Sequence, residues 1–318
     1  MTIGLYTMIV GLVADCVAED HSRRRVARQG QHDCFCYTEV IMNQVHSMES
    51  GPGVSVQPHH EDAARTWNLG GSHYDNISFG VSDALAHAAQ RLNPRPGQEI
   101  LDVATGTGWT ARNMARAGAN VTGVDIASEL LEAAETLSAH LRPAVRFRQA
   151  DAERLPFDDG HFDGVISTFG VMFAADQAQA ARELARVCRR GGRLSLAVWA
   201  PEGAVQDFFG VIGAHSGDPA PEPSPLAWGD PDHARALLGQ DFELWFEPGV
   251  NHHYFDKVED AWQWYARGFG PIRQVMKQLS ESEQTAFKQD VDAYHGRYAT
   301  EAGLHIEREY LLITGRRK

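Results

Sequence analysis

Residues Glu99 to Ala127 read E-I-L-D-V-A-T-G-T-G-W-T-A-R-N-M-A-R-A-G-A-N-V-T-G-V-D-I-A, and this stretch decides the fold. The apolar run at 100–103 is typical of a strand that is buried on both faces. Gly106 and Gly108 follow, where the backbone can turn tightly and approach a ligand without a Cβ. Residues 110–117 then have the composition of a helix, and 121–126 predict a second strand that places Asp125 at its carboxyl end. The unit is therefore strand, glycine turn, helix and strand, which builds a nucleotide crevice at the carboxyl edge of a parallel sheet.

Two kinds of ligand fit this unit. Gly106-x-Gly108-x-x-Ala111, with Asp125 about twenty residues beyond the first glycine, nearly matches the dinucleotide fingerprint. Asp102, an acid inside the first strand, argues against that ligand because a pyrophosphate would repel its carboxylate. A ligand with an ammonium and a sulfonium group would tolerate the same carboxylate.

The segment Asp102-x-Ala104-x-Gly106-x-Gly108 resembles the first motif of the class I S-adenosylmethionine-dependent methyltransferases. The resemblance extends over 99–199 and is strongest to the small-molecule branch, which includes the ubiquinone- and menaquinone-biosynthesis methyltransferases. Ala104 stands where that family usually has its first glycine. This departure affects how closely the backbone can approach the cofactor.

The resemblance implies S-adenosylmethionine as the cofactor and a set of residues that hold it. Asp125 is expected to bind the ribose hydroxyls. Asp151 is expected to accept a hydrogen bond from the adenine amino group, while the backbone N–H of Ala152 donates one. The residues implied in cofactor binding are Tyr74, Asp102, Ala104, Thr105, Gly106, Gly108, Asp125, Ile126, Asp151, Ala152, Ser167 and Thr168.

The alternation of strand and helix patterns with short loops predicts an α/β fold with a doubly wound, Rossmann-like sheet. We expect seven strands with the last one, at 304–314, antiparallel. The segment at 1–58 is predicted to be a poorly ordered extension, and 59–318 to form the methyltransferase domain. Cys188 is predicted on the core face of a helix that ends at Gly191 and Gly192.

Two insertions are expected to shape the acceptor pocket. Residues 201–240 predict a loop and helix insertion, and 256–303 predict two helices that cap the pocket. His252 and His253, after a short sixth strand at 242–246, are the candidates for a general base, because neutral imidazole accepts a proton near pH 7. The expected substrate-pocket residues are Trp67, Phe169, Met172, Phe173, Trp262 and Tyr265.

Composition narrows the partners. The formal net charge of −13 disfavours a general phosphate-binding surface, so we expect no nucleic acid partner. The apolar stretch at 1–14 is too short to cross a membrane and lacks a basic segment before it, so we expect no membrane partner. Four cysteines without zinc-ligand spacing predict no metal site and favour a reducing, cytoplasmic location. The oligomeric state is left open.

The sequence therefore favours methyl transfer to a small-molecule acceptor through an O, N, C or S nucleophile. Two alternatives remain. An NAD(P)-dependent oxidoreductase of Rossmann type uses the same crevice, and a protein that binds S-adenosylmethionine without catalysis has the same first motif.

Overall fold

A mixed sheet forms the centre of the part of the chain that the computed structural model describes, residues 56–217 and 219–318. The strands lie in the order β3-β2-β1-β4-β5-β8-β6, and the first five of these are mutually parallel. Strand β8 is antiparallel to both β5 and β6, and the short β7 pairs with β8 outside this order. The prediction of a doubly wound sheet with an antiparallel last strand is confirmed, but the described residues form eight strands instead of the predicted seven, because the two-residue β7 also pairs with β8. The strands are β1 Glu99–Val103, β2 Asn120–Asp125, β3 Arg146–Gln149, β4 Phe162–Thr168, β5 Cys188–Trp199, β6 Phe242–Phe255, β7 Ala299–Thr300 and β8 Gly303–Arg317.

Helices cover the sheet and build a second layer beside its carboxyl edge. Ile100, Leu101 and Val103 of β1 are completely buried, as the continuous apolar run requires of a central strand. The α-helices are α1 Glu61–Asn68, α2 Tyr74–Phe79, α3 Ser82–Leu92, α4 Trp109–Arg116, α5 Ser128–Ser138, α6 Gln177–Val187, α7 Ala204–Ser216, α8 Pro231–Leu238, α9 Val258–Gly268, α10 Gly270–Gln278 and α11 Glu281–Gly296.

Two secondary-structure predictions were wrong at the junctions with the sheet. Cys188 begins strand β5 instead of ending a helix, because its backbone is extended and it pairs with Phe162 of β4. Strand β6 continues to Phe255, since every residue from Phe242 onward pairs with β8. His252 and His253 consequently belong to a strand and not to a loop beyond one.

The insertion at 256–303 holds three helices instead of two, because α10 was not predicted. These helices share an apolar core with α2 and α7, which lie outside that insertion. Its buried members include Ile77 from α2, Phe208 from α7 and Tyr265 from α9. Segments that are distant in sequence therefore pack together in one apolar cluster.

The extension predicted at 1–58 falls outside the described residues except for its last three. Gln57 already contacts the folded unit, since its N–H donates to Asp151 at 3.0 Å. Over the described ranges, no helix combines the length and the apolar character needed to cross a membrane.

Candidate functional site

The carboxyl ends of β1 and β2 open onto a cleft, and Asp125 is its central acid. Its Oδ2 accepts from the backbone N–H of Gly106 at 2.8 Å, and its Oδ1 accepts from that of Ala127 at 2.9 Å. Burial raises the pKa of Asp125, while these backbone hydrogen bonds act in the opposite direction. A carboxylate oxygen has two lone pairs, so each oxygen keeps acceptor capacity for a ligand hydroxyl.

The glycine turn after β1 is shaped by two pairs of close neighbours. Ala104 has φ +56°, a conformation that usually requires glycine. A Cβ on Gly170 would lie 2.3 Å from the Cβ of Ala104, so the absence of a side chain at 170 makes room for the Ala104 methyl group. Gly106 has φ +55°, and a Cβ there would lie 3.1 Å from the Tyr74 ring. The turn therefore brings bare backbone to the cleft beneath Tyr74.

Gly108 has a different role from the one the sequence suggested. It precedes α4 with φ +78°, and a Cβ there would meet the ring of Phe147 at 2.8 Å. The structure uses this glycine for the turn and for packing on β3, not for lining the cleft.

Asp102 lies fully buried beneath the turn. Its Oδ2 accepts from Thr105 Oγ1 at 2.7 Å, whereas its Oδ1 is buried and has no hydrogen-bond partner among the described residues. Burial raises the pKa of Asp102 to about 7, and the hydrogen bond from Thr105 opposes that rise. Neither Asp102 nor Thr105 lines the cleft.

At the β3 end of the cleft, Asp151 is engaged by the segment that precedes α1. Its Oδ2 lies 2.7 Å from His60 Nδ1 and accepts from Gln57 N–H, and its Oδ1 accepts from Glu153 N–H at 2.9 Å. Burial opposes ionisation of Asp151, but these hydrogen bonds outweigh it and lower its pKa. The same hydrogen bond with Asp151 raises the pKa of His60. An adenine amino group would have to share this carboxylate with His60, a contact that sequence reasoning missed.

The exit from β4 separates cleft residues from packing residues. Ser167 Oγ donates to Val103 O at 2.7 Å and accepts from Val171 N–H at 3.0 Å, so it ties the loop to β1 beneath the cleft. Thr168, whose Oγ1 lies 3.0 Å from Thr110 Oγ1, lines the cleft. Met172 is fully buried in the main core.

The cleft has a volume of about 290 Å³. The structure brings eight of the residues predicted to bind the cofactor to its wall: Tyr74, Ala104, Gly106, Asp125, Ile126, Asp151, Ala152 and Thr168. It adds a set that sequence reasoning did not name: His60, Ala63, Thr66, Leu130, Ala150, Gly170, Val171, Ala174 and Pro271.

A smaller chamber of about 70 Å³ adjoins the cleft. The side chains of Trp67, Tyr74, Phe169 and Phe173 line both cavities, so the cleft and the chamber are neighbours across these four aromatic rings. Tyr265 lines the chamber as predicted, whereas Trp262 does not and instead contacts Phe287 with ring centroids 6.0 Å apart. The chamber wall also includes Ile77, Val81, Trp199, Val205, Phe208, Phe209, Phe269, Tyr294, Ile306 and Arg308.

His252 and His253 line neither the cleft nor the chamber. His252 is exposed, with Nδ1 2.9 Å from His305 Nε2. His253 is buried against Trp264, and burial lowers its pKa to about 2. The structure therefore does not bring the predicted general bases to the cleft.

Two groups of side chains place their donor atoms close enough together to hold a metal ion, although the sequence predicted no metal site. One comprises His59, His60 and Glu153 beside the cleft, and the other comprises His252, His305 and Glu307 on the strand surface. In the first group, His60 Nδ1 already bonds to Asp151 and its Nε2 accepts from Ala175 N–H at 3.2 Å. Both ring nitrogens of His60 are thus engaged by protein.

Comparison with known proteins places this cleft in a wider context. The profile described as a methyltransferase domain matches residues 101–196. An uncharacterised protein of Mycobacterium tuberculosis is 31% identical over 228 residues, which are 70% of this chain and 82% of that relative. A demethylmenaquinone methyltransferase of Beutenbergia cavernae is 34% identical over 155 residues, or 47% of this chain and 62% of the relative. The chain spans about half the length, 53%, of other mycobacterial relatives that it matches at 43% identity.

Among solved structures, a putative methyltransferase from Bacillus halodurans has a TM-score of 0.53 at 23% identity. The alignment covers 74% of this chain and 98% of that structure. The YcgJ protein from Bacillus subtilis gives a TM-score of 0.54 at 21% identity, covering 74% and 99%. These similarities show that the fold is shared.

Proposed function

Because the chain belongs to the class I S-adenosylmethionine-dependent methyltransferase family, we propose that it transfers the methyl group of S-adenosylmethionine to a small aromatic acceptor. The observation that carries the proposal is that the two cavities are neighbours with a common aromatic wall. The cleft holds the glycine turn and Asp125, and four aromatic side chains line both the cleft and the aromatic chamber. A cofactor in the first cavity and an acceptor in the second would meet at those shared rings.

The residues of the cleft fit the family's cofactor, S-adenosylmethionine. Asp125 keeps acceptor capacity on both carboxylate oxygens, which suits a pair of ribose hydroxyls. Gly106 presents bare backbone to the cleft beneath the Tyr74 ring, and the carboxyl group of Asp102 lies buried beneath the same turn. These features suit the aminocarboxypropyl part of the cofactor, and the end of the cleft near Asp151 and Ala152 suits the adenine.

The bound cofactor supplies an electrophilic methyl group on a sulfonium. The protein's part is to bind, orient and exclude water. Trp67, Phe169 and Phe173 lie between the two cavities, where they would hold an acceptor in line with the methyl group. Orientation of this kind contributes on the order of 7–11 kcal/mol in well-aligned reactions. Aromatic faces also attract the cationic sulfonium, by about 0.5–2 kcal/mol for each well-placed ring.

A protein base is not part of this proposal. Since His252 and His253 lie away from both cavities, the acceptor is expected to react through an atom that is already nucleophilic, such as a phenolate oxygen, an electron-rich ring carbon or a neutral amine. That expectation narrows the acceptor class without identifying the metabolite.

Thermal-shift measurements with S-adenosylhomocysteine, NAD and NADP distinguish the proposal from its alternatives. A ligand at 100 times its Kd stabilises a protein by about 2.7 kcal/mol, which raises Tm by roughly 5 to 11 °C at this size. We expect S-adenosylhomocysteine to produce such a shift and the nicotinamide cofactors to produce none. Stabilisation by NAD or NADP alone would instead support the oxidoreductase alternative.

Transfer itself is tested with S-adenosylmethionine that carries an isotopically labelled methyl group. The protein is incubated with a panel of phenols, hydroquinones and aromatic amines, and the organic products are examined for label. Gly210→Ala is the control variant and should keep the full activity, since a Cβ at Gly210 meets no atom within 4 Å. A change at Thr168 is unsuitable as a control because Thr168 lines the cleft. Binding of S-adenosylhomocysteine without transfer to any member would favour the non-catalytic alternative.

A further inference from the structure

The wall of the aromatic chamber contains a buried positive charge. Arg308 of β8 lines the chamber, and only 6% of its surface is exposed. Within the described ranges, no carboxylate oxygen lies within 4.0 Å of a nitrogen of its guanidinium group. Several exposed arginines, in contrast, form ion pairs with a carboxylate: Arg91, Arg189 and Arg297. Burying an unpaired charge is costly, so an arginine in this position is expected to have a function that repays the cost.

The neutral hydrogen-bond partners of Arg308 do not use all of the donors of its guanidinium group. Nε and Nη2 donate to Asn251 Oδ1, and Nη2 also donates to the carbonyl oxygen of Gly80. Nη1 donates to the hydroxyl oxygen of Tyr265 at a long 3.4 Å. Asp83 is connected only indirectly, through the amide of Asn251, and is itself exposed to solvent. Nη1 therefore keeps a hydrogen-bond donor without an acceptor in the described part of the chain.

Tyr265 adds a second donor at the same place. Its hydroxyl accepts from Arg308, and it makes no other hydrogen bond to a described residue. Burial raises the pKa of Tyr265, although the nearby Arg308 opposes this, so the hydroxyl keeps its proton at neutral pH. An oxygen between Arg308 Nη1 and the Tyr265 hydroxyl would accept from both groups.

We propose that the acceptor carries a carboxylate, which Arg308 and Tyr265 bind in the aromatic chamber. The proposal rests on the proposed function and specifies its substrate class as an aromatic carboxylic acid. The guanidinium is an always-charged, planar donor that suits a carboxylate, and a charge-assisted hydrogen bond in a buried site is stronger than a neutral one.

The size of the chamber determines how such an acceptor lies. Its volume of about 70 Å³ is roughly half that of a cavity of about 150 Å³ that holds a benzene ring. The chamber therefore accepts the carboxylate end of the molecule, while the ring lies among Trp67, Phe169 and Phe173 at the entrance. The carboxylate fixes the ring, so that the nucleophilic atom on the opposite edge faces the cleft.

The test compares acids with their neutral amides by calorimetry on the protein saturated with S-adenosylhomocysteine. The probes are benzoate, 4-hydroxybenzoate and salicylate, each paired with its amide. At neutral pH all three acids are ionised, since a carboxyl group has a pKa of about 4. We expect at least one acid to bind about tenfold or more tightly than its amide.

Two variants assign that preference to these residues. In Arg308→Gln the preference for the acid over the amide should disappear, and Tyr265→Phe should reduce it by several fold while the ring stays in place. Arg297→Gln is the control because it removes the same charge from the helical layer, where Arg297 pairs with Asp207 at 2.9 Å on the surface. The control should keep the full preference.

The outcomes separate this inference from the proposed function. Failure of the unmodified protein to bind S-adenosylhomocysteine would count against the proposed function itself. Normal binding of S-adenosylhomocysteine, combined with equal or absent binding of every acid and amide pair, would overturn the carboxylate assignment alone. Loss of acid and amide binding to the same extent in Arg308→Gln would show that Arg308 only supports the packing of the chamber.

Discussion

The contact between Ala104 and Gly170 gives a quantitative test of how the cleft is built. Gly170→Ala would place a Cβ 2.3 Å from the Cβ of Ala104 and 3.0 Å from its carbonyl oxygen. Carbon atoms prefer about 3.5–4.0 Å, so the two segments would have to separate by more than about 1 Å. Both residues line the cleft, and we therefore expect the substitution to lower stability and cofactor affinity together.

The magnitude follows from the cost of overpacking. An added methyl group that forces backbone shifts costs typically about 1–3 kcal/mol, which at this size lowers Tm by roughly 2 to 12 °C. Ala104→Gly removes the opposing methyl group and also relaxes φ +56°, a conformation that costs a non-glycine residue about 1–2 kcal/mol. The gain is offset by about 0.4–1 kcal/mol because glycine is more flexible in the unfolded chain.

The assay is a double-mutant cycle of Gly170→Ala and Ala104→Gly, measured by urea unfolding and by calorimetric binding of S-adenosylhomocysteine. We expect the two changes to interact favourably by about 1 kcal/mol or more, so the double variant should recover most of the lost stability. The contact with the Ala104 carbonyl remains and should leave a small residual cost. Gly210→Ala is the matched control, since the added Cβ meets nothing there. Additivity within about 0.5 kcal/mol would refute the claim that the Ala104 methyl group occupies the space left by Gly170.

Three further predictions concern two acids of the cleft, Asp125 and Asp151, and the acid beneath it, Asp102. Asp125→Ala should weaken S-adenosylhomocysteine binding by about tenfold or more, because two ribose hydroxyls lose their acceptor; an unchanged calorimetric Kd would contradict the ribose assignment. In the folded protein the pKa of His60 is raised above its unfolded value of 6.5, and the pKa of Asp151 is lowered below its unfolded value of 3.8. The ion pair therefore stabilises the protein most between pH 3.8 and pH 6.5. This stabilisation is lost as pH rises through the folded pKa of His60. The difference in Tm between the parent protein and His60→Gln should thus be larger near pH 5.5 than near pH 8.5, and a difference that does not vary with pH would exclude this pairing. Burial raises the pKa of Asp102 to about 7, so its carboxyl group gains a negative charge beneath the turn as pH increases through that value. The ratio of the affinities of the parent protein and of Asp102→Asn for S-adenosylmethionine should therefore rise over the same range; a constant ratio would exclude an electrostatic effect of this buried carboxylate on the ammonium group.

Local patterns predicted the fold because its deciding features are local. The apolar run of β1, the glycines that follow it and Asp125 at the end of β2 occupy consecutive positions, and each is a direct consequence of backbone or burial requirements. The errors arose where long-range pairing decides the structure. Cys188 has helical neighbours on one side only, and pairing with Phe162 extends its backbone. The length of β6 likewise depends on β8, because Phe255 at its end pairs with Leu304, 49 residues further along the chain.

The candidate site shows the same difference between features that depend on local sequence and features that depend on long-range contacts. Asp125 and Gly106 were found because their roles depend on their own strand and turn. Arg308 was not predicted as a site residue, because its strand has an ordinary alternating pattern. Only the folded protein shows that Arg308 is buried and that its side-chain partners are the uncharged Asn251 and Tyr265. His253 is the converse case, because packing against Trp264 removes a residue with suitable chemistry from any contact with the cleft. Residue type and spacing therefore predicted many residues of the cleft wall, whereas the chamber wall includes side chains from β8, α7 and α9 that approach each other only in the folded protein.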